Sequence, residues 1–260
     1  MRAAAEAAGT QMAVEETLAS IVVGDRSMGA FVARAADSPA DPSKPPAPLP
    51  AVLVFHEGAG VDEDIKVHCR RLAREGYLAV APDLSHHGDA EPEEVSTFDL
   101  AKEILATVAY VRGVDGLGTR EVCVVGFGLG GYAAFLTACR AKVSVAIVIY
   151  GAAIHRMRRA IPAELGTTRR AAPIRCILGA EDAMVDVRDV GMVGTRLTEC
   201  GVSHDIVVYP RVGNGFMSES SPSYRAAAAV DAWQRTLEWL RSTKPSTRQR
   251  RAAGLRRRPR

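Results

Sequence analysis

A chain of 260 residues, 47% hydrophobic and 24% charged, is long enough for one sizeable core and lacks the charge excess of a disordered protein. It has no apolar run of about 18 residues, and its opening stretch, MRAAAEAAGTQMAVEE, lacks the apolar segment of a secretion signal, so a cytoplasmic protein is expected. The net charge of +3 hides an asymmetry: Lys244, Arg248, Arg250, Arg251, Arg256, Arg257, Arg258 and Arg260 supply eight positive charges, and taking these from +3 leaves −5 on the rest.

Residues 1–15 are expected to be an N-terminal extension, 16–242 a single globular domain, and 243–260 a basic disordered tail. That tail is either a solvated extension or a weak contact for anionic surfaces. Cys69, Cys123, Cys139, Cys176 and Cys200 are odd in number and have no C-x-x-C spacing. They are expected as free, mostly buried thiols.

TLASIVVG and GAFVARAA read as two short strands of a lead-in hairpin, with a turn at Asp25 and Arg26. Residues 37–50 hold six prolines and form an extended connection. An alternation of elements then begins. AVLVFH is a buried strand, and the helix after it places Ile65, Cys69 and Leu72 on one face and stops at Gly76. YLAVAP is the next strand. Residues 96–112 make a helix capped by Ser96 or Thr97, with Leu100, Ile104, Val108 and Val111 as its apolar stripe.

EVCVVGF leads through a glycine cluster into the helix GYAAFLTACR, and VSVAIVIY is another strand. An irregular basic segment over 152–170 precedes the strand IRCILG, a helix near Val187 to Cys200, the strand HDIVVYP and a last helix ending AAAAVDAWQRTLEWLRS. Continuous apolar strands separated by helices predict an α/β domain, a mostly parallel sheet covered on both faces. In such sheets ligands sit beyond the carboxyl ends of the strands. This selects His56, Glu57, the stretch Asp83 to Asp89, Gly128, Leu129, Tyr150, Glu181, Asp182 and Asn214.

VLVFHEGAGVDEDIKVHCRRLAREGYLAVAPDL, VGFGLGGYAAFL, LGAEDAMVD and YPRVGNGFM resemble, in order and spacing, the blocks of the dienelactone hydrolase family of α/β-hydrolases, from about residue 17 to 241. The resemblance implies lactone or ester hydrolysis by a Cys or Ser on a strand-to-helix elbow, an Asp after a late strand and a His in a loop. Carried across, these positions are Gly128, Asp182 and Asn214. Glycine has no atom with which to attack, and an asparagine amide takes up no proton near neutral pH, so covalent hydrolysis is not expected. The backbone donors that would polarise a carbonyl are, by resemblance, the N–H groups of Gly58 and Leu129.

The resemblance also implies that Glu57 stands where a glutamate contacts the nucleophile, and that Ser85 and His87 replace residues that hold a substrate carboxylate. A second such position falls on Ser218. A doubly anionic substrate therefore fits poorly. Glu57, His87 and Asp182 are the candidate proton-transfer residues, although His86 and His87 also read as solvated loop residues and Asp182 as a helix cap. His56, Ser85, His86, Phe127, Tyr150, Phe216 and Met217 are expected to line the pocket. His56, His86, His87 and Asp89 lack H-x-x-x-H or H-E-x-x-H spacing, so no metal and no cofactor are expected. Three readings stay open: a non-hydrolytic acid/base enzyme (cyclase, isomerase or lyase) on a small carbonyl metabolite, a non-catalytic binder of a small molecule or partner, and a residual hydrolase that activates water directly.

Overall fold

The computed structural model describes residues 12–36, 49–57, 60–87, 96–113, 121–151, 157 and 171–242. The expected extension up to residue 11, most of the proline-rich connection, Gly58, Asp89, the basic segment 152–170 apart from Met157, and the tail lie outside them. The apolar runs form eight strands: β1 (Val14–Val23), β2 (Arg26–Ala35), β3 (Ala51–Phe55), β4 (Leu78–Pro82), β5 (Val122–Phe127), β6 (Ala146–Ile149), β7 (Ile174–Gly179) and β8 (His204–Tyr209). From β3 onward they are interleaved with α1 (Glu63–Arg74), α2 (Thr97–Gly113), α3 (Leu129–Arg140), α4 (Val187–Glu199) and α5 (Ala226–Arg241).

The strands build one sheet in the order β1-β2-β4-β3-β5-β6-β7-β8. β2 is antiparallel to β1 and β4, and every pair from β4 to β8 is parallel. Successive side chains along a strand point to opposite faces. Leu53 and Phe55 therefore join Val80, Val124, Ile104 and Leu136 on the face covered by α2, α3 and α4, while Val52 and Val54 join Ala79, Val125, Leu72 and Trp233 beneath α1 and α5. With both faces covered, these strands need apolar residues at every position, which is why they read as unbroken runs. Among the described residues no helix is long and apolar enough to cross a membrane. The five cysteines are free, four of them buried and Cys200 exposed.

Three local expectations shift. The hairpin strands are ten residues each, paired from Val14 opposite Ala35 to Val23 opposite Arg26. The turn therefore falls on Gly24, whose φ of +63° suits the first position of a two-residue loop, and on Asp25. At α2 the choice of cap resolves to Ser96, whose Oγ accepts from the Asp99 N–H at 3.3 Å. β6 ends at Ile149, because Tyr150 leaves extended geometry with φ +35°.

The junction of β5 and α3 depends on missing side chains. A Cβ on Gly130 would lie 2.3 Å from the Phe55 carbonyl oxygen and 2.5 Å from that of His56. Both are backbone atoms at the end of β3 and cannot swing aside. Gly130→Ala is expected to cost about 3 kcal/mol through overpacking, whereas Gly191→Ala, on the exposed side of α4 with nothing within 4 Å, is expected to add about 0.8 kcal/mol of stability. Urea unfolding of the two variants checks the opposite signs.

Candidate functional site

β5 delivers the chain to Gly128, whose φ of +52° and ψ of −120° turn it sharply into α3. A side chain here would be held in a strained region of backbone space that glycine enters freely. An ideal Cβ on Gly128 would lie 2.9 Å from Glu57 Cγ and 3.2 Å from its Cδ. The Glu57 side chain thus occupies the space above the turn.

Glu57 is largely buried, and burial pushes its carboxyl above the ordinary value of 4.5. A hydrogen bond from the Tyr150 hydroxyl opposes this shift, and the negative charges of Asp62, Asp64 and Asp182 reinforce it. Burial, then the adjacent Glu57, raises the Tyr150 phenol well above its ordinary range, so it remains a neutral donor at neutral pH. Tyr150 packs among Phe127 and Phe216, with centroids at 6.0 and 5.6 Å.

Asp182 follows β7 and is buried at 7% exposure. Its Oδ1 accepts from the Met184 N–H at 2.8 Å, and its Oδ2 from Asn214 Nδ2 at 2.9 Å. Burial raises its pKa, and these two hydrogen bonds oppose the shift. The Asn214 amide also donates to the Tyr150 carbonyl at 3.4 Å. It ties together the ends of β6 and β7, as a side chain without a titrating proton can.

Beside these groups lies a cavity of about 160 Å³, lined by Glu57, Phe127 and Tyr150, by Asp62, Asp64, Ile65 and His68 from the start of α1, and by Gly215, Ser218 and Ser220 from the loop after β8. Asp62 caps α1 by accepting from the Ile65 N–H. The hydroxyls of Ser218 and Ser220 both donate to Asp64 Oδ2, the latter at 2.7 Å, and the Ser218 bond is the main cause lowering the Asp64 pKa. His68 stacks on Phe127 at 4.5 Å and Trp233 at 5.5 Å. Burial pushes its pKa down to about 4, and its Nδ1 has no hydrogen-bond partner.

The structure brings together Glu57, Phe127 and Tyr150 of the expected pocket and leaves the others apart. Buried His56 accepts the Leu84 N–H at its Nε2, 2.8 Å, so its Nδ1 carries the proton and donates it to the Glu57 carbonyl. It is a neutral strut between two loops, with its pKa lowered by burial. Ser85 sits in an Asx turn on Asp83. His86 and His87 turn away from the cavity to the buried Glu103 carboxylate, 2.7 Å from each Nε2, which corrects the placing of His87 as a proton shuttle in this pocket. Phe216 and Met217 belong to the core under α1 and α5 and not to the cavity wall. Leu129 opens α3, whose N-cap Gly128 makes no side-chain cap, while the Gly128 carbonyl accepts the Gly131 N–H at 3.0 Å.

Sequence reading missed Asp62, Asp64, His68 and Ser220 as wall residues. The available signal was the four-residue spacing of Asp64 and His68 on a helix that starts just past a strand end.

Residues 38–244 match the Dienelactone hydrolase family. The chain belongs to this family. Among its relatives is a protein of Escherichia coli (strain K12) named "Putative carboxymethylenebutenolidase", 31% identical over 221 residues that cover 78% of this chain and 80% of the relative. The crystal structure named "Putative Dienelactone Hydrolase", from Klebsiella pneumoniae subsp. pneumoniae MGH 78578, is 26% identical with a TM-score of 0.72, covering 88% of this chain and 98% of that one. A dienelactone hydrolase-like promiscuous phosphotriesterase, P91, from metagenomic libraries shares the fold at 20% identity and a TM-score of 0.71, over 89% of this chain and 99% of that one. The family's α/β-hydrolase fold is therefore that of this chain, and at the turn from β5 into α3 the Glu57 side chain lies over Gly128.

The raised Glu57 pKa has a stability consequence. The folded state holds this proton more tightly than the unfolded state, so the contribution is fully present below the ordinary value and is lost as pH rises through the raised one. Glu57→Gln removes the ionisation. The variant is expected to melt close to the parent chain at acidic pH and above it at alkaline pH. Thermal melts across pH check this.

Proposed function

We propose that this family member is a non-hydrolytic acid/base enzyme, a cyclase, isomerase or lyase acting on a small carbonyl compound. Its hydrolytic triad is degenerate, with Gly128 at the nucleophile position, Asn214 at the histidine position and Asp182 retained. The observation that carries this reading is the Glu57 side chain filling the space above Gly128, within 2.9 Å of where a nucleophile's Cβ would stand.

Glu57 and Tyr150 then act as a pair. Above its raised pKa, Glu57 accepts a proton from carbon next to the substrate carbonyl; the Tyr150 hydroxyl and the Leu129 N–H stabilise the charge that develops on oxygen. Return of the proton to a different atom completes an isomerisation, and loss of a neighbouring group completes an elimination. No bond to the protein forms.

Small ketones incubated with the chain in heavy water are expected to exchange the hydrogens beside their carbonyl, read by NMR, and Glu57→Gln is expected to slow this by about 10²–10⁴-fold. Aryl acetates and simple lactones are expected to open at the rate of buffer. Ester or lactone turnover that vanishes in Asp182→Ala would sink the proposal in favour of a hydrolase that activates water. Gly128→Ser is expected to lose about 1–3 kcal/mol of stability from backbone strain and to show no burst of acyl-enzyme.

A further inference from the structure

We propose that His86, His87 and Glu103 form a binding site for one divalent transition-metal ion of the zinc type, away from the cavity and independent of its chemistry. The two histidines occupy a single 3₁₀ turn after β4, and Glu103 projects from α2 with none of its side chain exposed. His86 Nε2 lies 2.7 Å from Glu103 Oε1, His87 Nε2 lies 2.7 Å from Oε2, and the three ligand atoms all fall within 4.8 Å of one another. A tetrahedral ion with bonds near 2.0–2.1 Å needs donors about 3.3 Å apart, and the two Nε2 atoms and one carboxylate oxygen, within 4.8 Å of one another, reach that spacing by small side-chain shifts. Two imidazole nitrogens and one carboxylate suit zinc, cobalt, nickel or copper and not magnesium or calcium, which take oxygen alone.

The surroundings meet the further requirements of a metal site. The turn is held in place, because the His87 N–H donates to the Leu84 carbonyl at 3.0 Å and the Leu84 N–H is held by His56. The His86 and His87 side chains are 35% and 18% exposed, so solvent reaches both rings. A fully buried carboxylate needs positive compensation. At present Arg26 supplies it, donating to the same Oε1 that His86 contacts. On binding, each Nε2 gives up its contact with the carboxylate for a bond to the ion, and a ring whose proton is on Nε2 moves it to Nδ1. No oxidation or net loss of atoms is involved.

The untagged full chain, stripped with a chelator, is to be titrated with zinc(II) by calorimetry and with cobalt(II) by visible absorption. One ion per chain is expected, with a melting temperature that rises on binding and a cobalt spectrum free of thiolate charge transfer. His86→Ala and His87→Ala are each expected to weaken binding by about 10–100-fold. Arg26→Ala, which frees Oε1, is expected to bind at least as tightly as the parent chain. No binding at a tenfold excess of metal, binding indifferent to both histidine substitutions, or a thiolate band from Cys200 would overturn the proposal. Because both histidines are partly exposed, their variants should fold even if Glu103→Gln does not.

Discussion

The carbonyls of Phe55 and His56 press against the first turn of α3 where Gly130 has no side chain, and the arrangement of the site follows from that contact. It brings the end of β3 against the start of α3 at the middle of the sheet. The residue after His56 is then bound to lie over the turn at Gly128. Any side chain at position 57 would be near the elbow; a glutamate there becomes a buried carboxylate. The same crowding explains why His56 is a strut, since its ring fills the gap between the loops after β3 and β4 and both nitrogens are used by backbone groups.

Three carboxylates near this rim differ in their proton affinities. Serine hydroxyls lower the pKa of Asp64, while burial raises those of Glu57 and Asp182. Environments that separate the proton affinities of neighbouring acids are what acid/base chemistry uses. Among the described residues, no lysine or arginine lines the cavity.

The sheet, both helical layers and the elbow were legible because burial on two faces demands unbroken apolar strands, and because glycines mark close approaches. Tyr150 and Glu57 were found by the rule that ligands collect at strand ends. What escaped depended on side-chain direction. His86 and His87 sit at a strand end yet turn toward α2, drawn by Glu103, a buried acid within an apolar stripe that periodicity alone would assign to solvent. Phe216 and Met217 lie in the right loop but point into the core. Asp64 and His68 project from the helix beyond the strand end, one turn apart, and only the packing of α1 shows which of its faces meets the cavity.

The overlap of Glu57 with the missing side chain of Gly128 makes the two positions epistatic. A serine or cysteine at 128 must displace a carboxylate that Tyr150 holds in place, and a smaller residue at 57 alone leaves a void above a glycine. Neither change is favourable without the other. Asn214 adds a third dependency, because a ring in its place would have to recover the hydrogen bond to Asp182 and the one to the Tyr150 carbonyl. A change at any one of these three positions meets a cost that only changes at the others could offset, so the glycine turn is held in place by its own geometry.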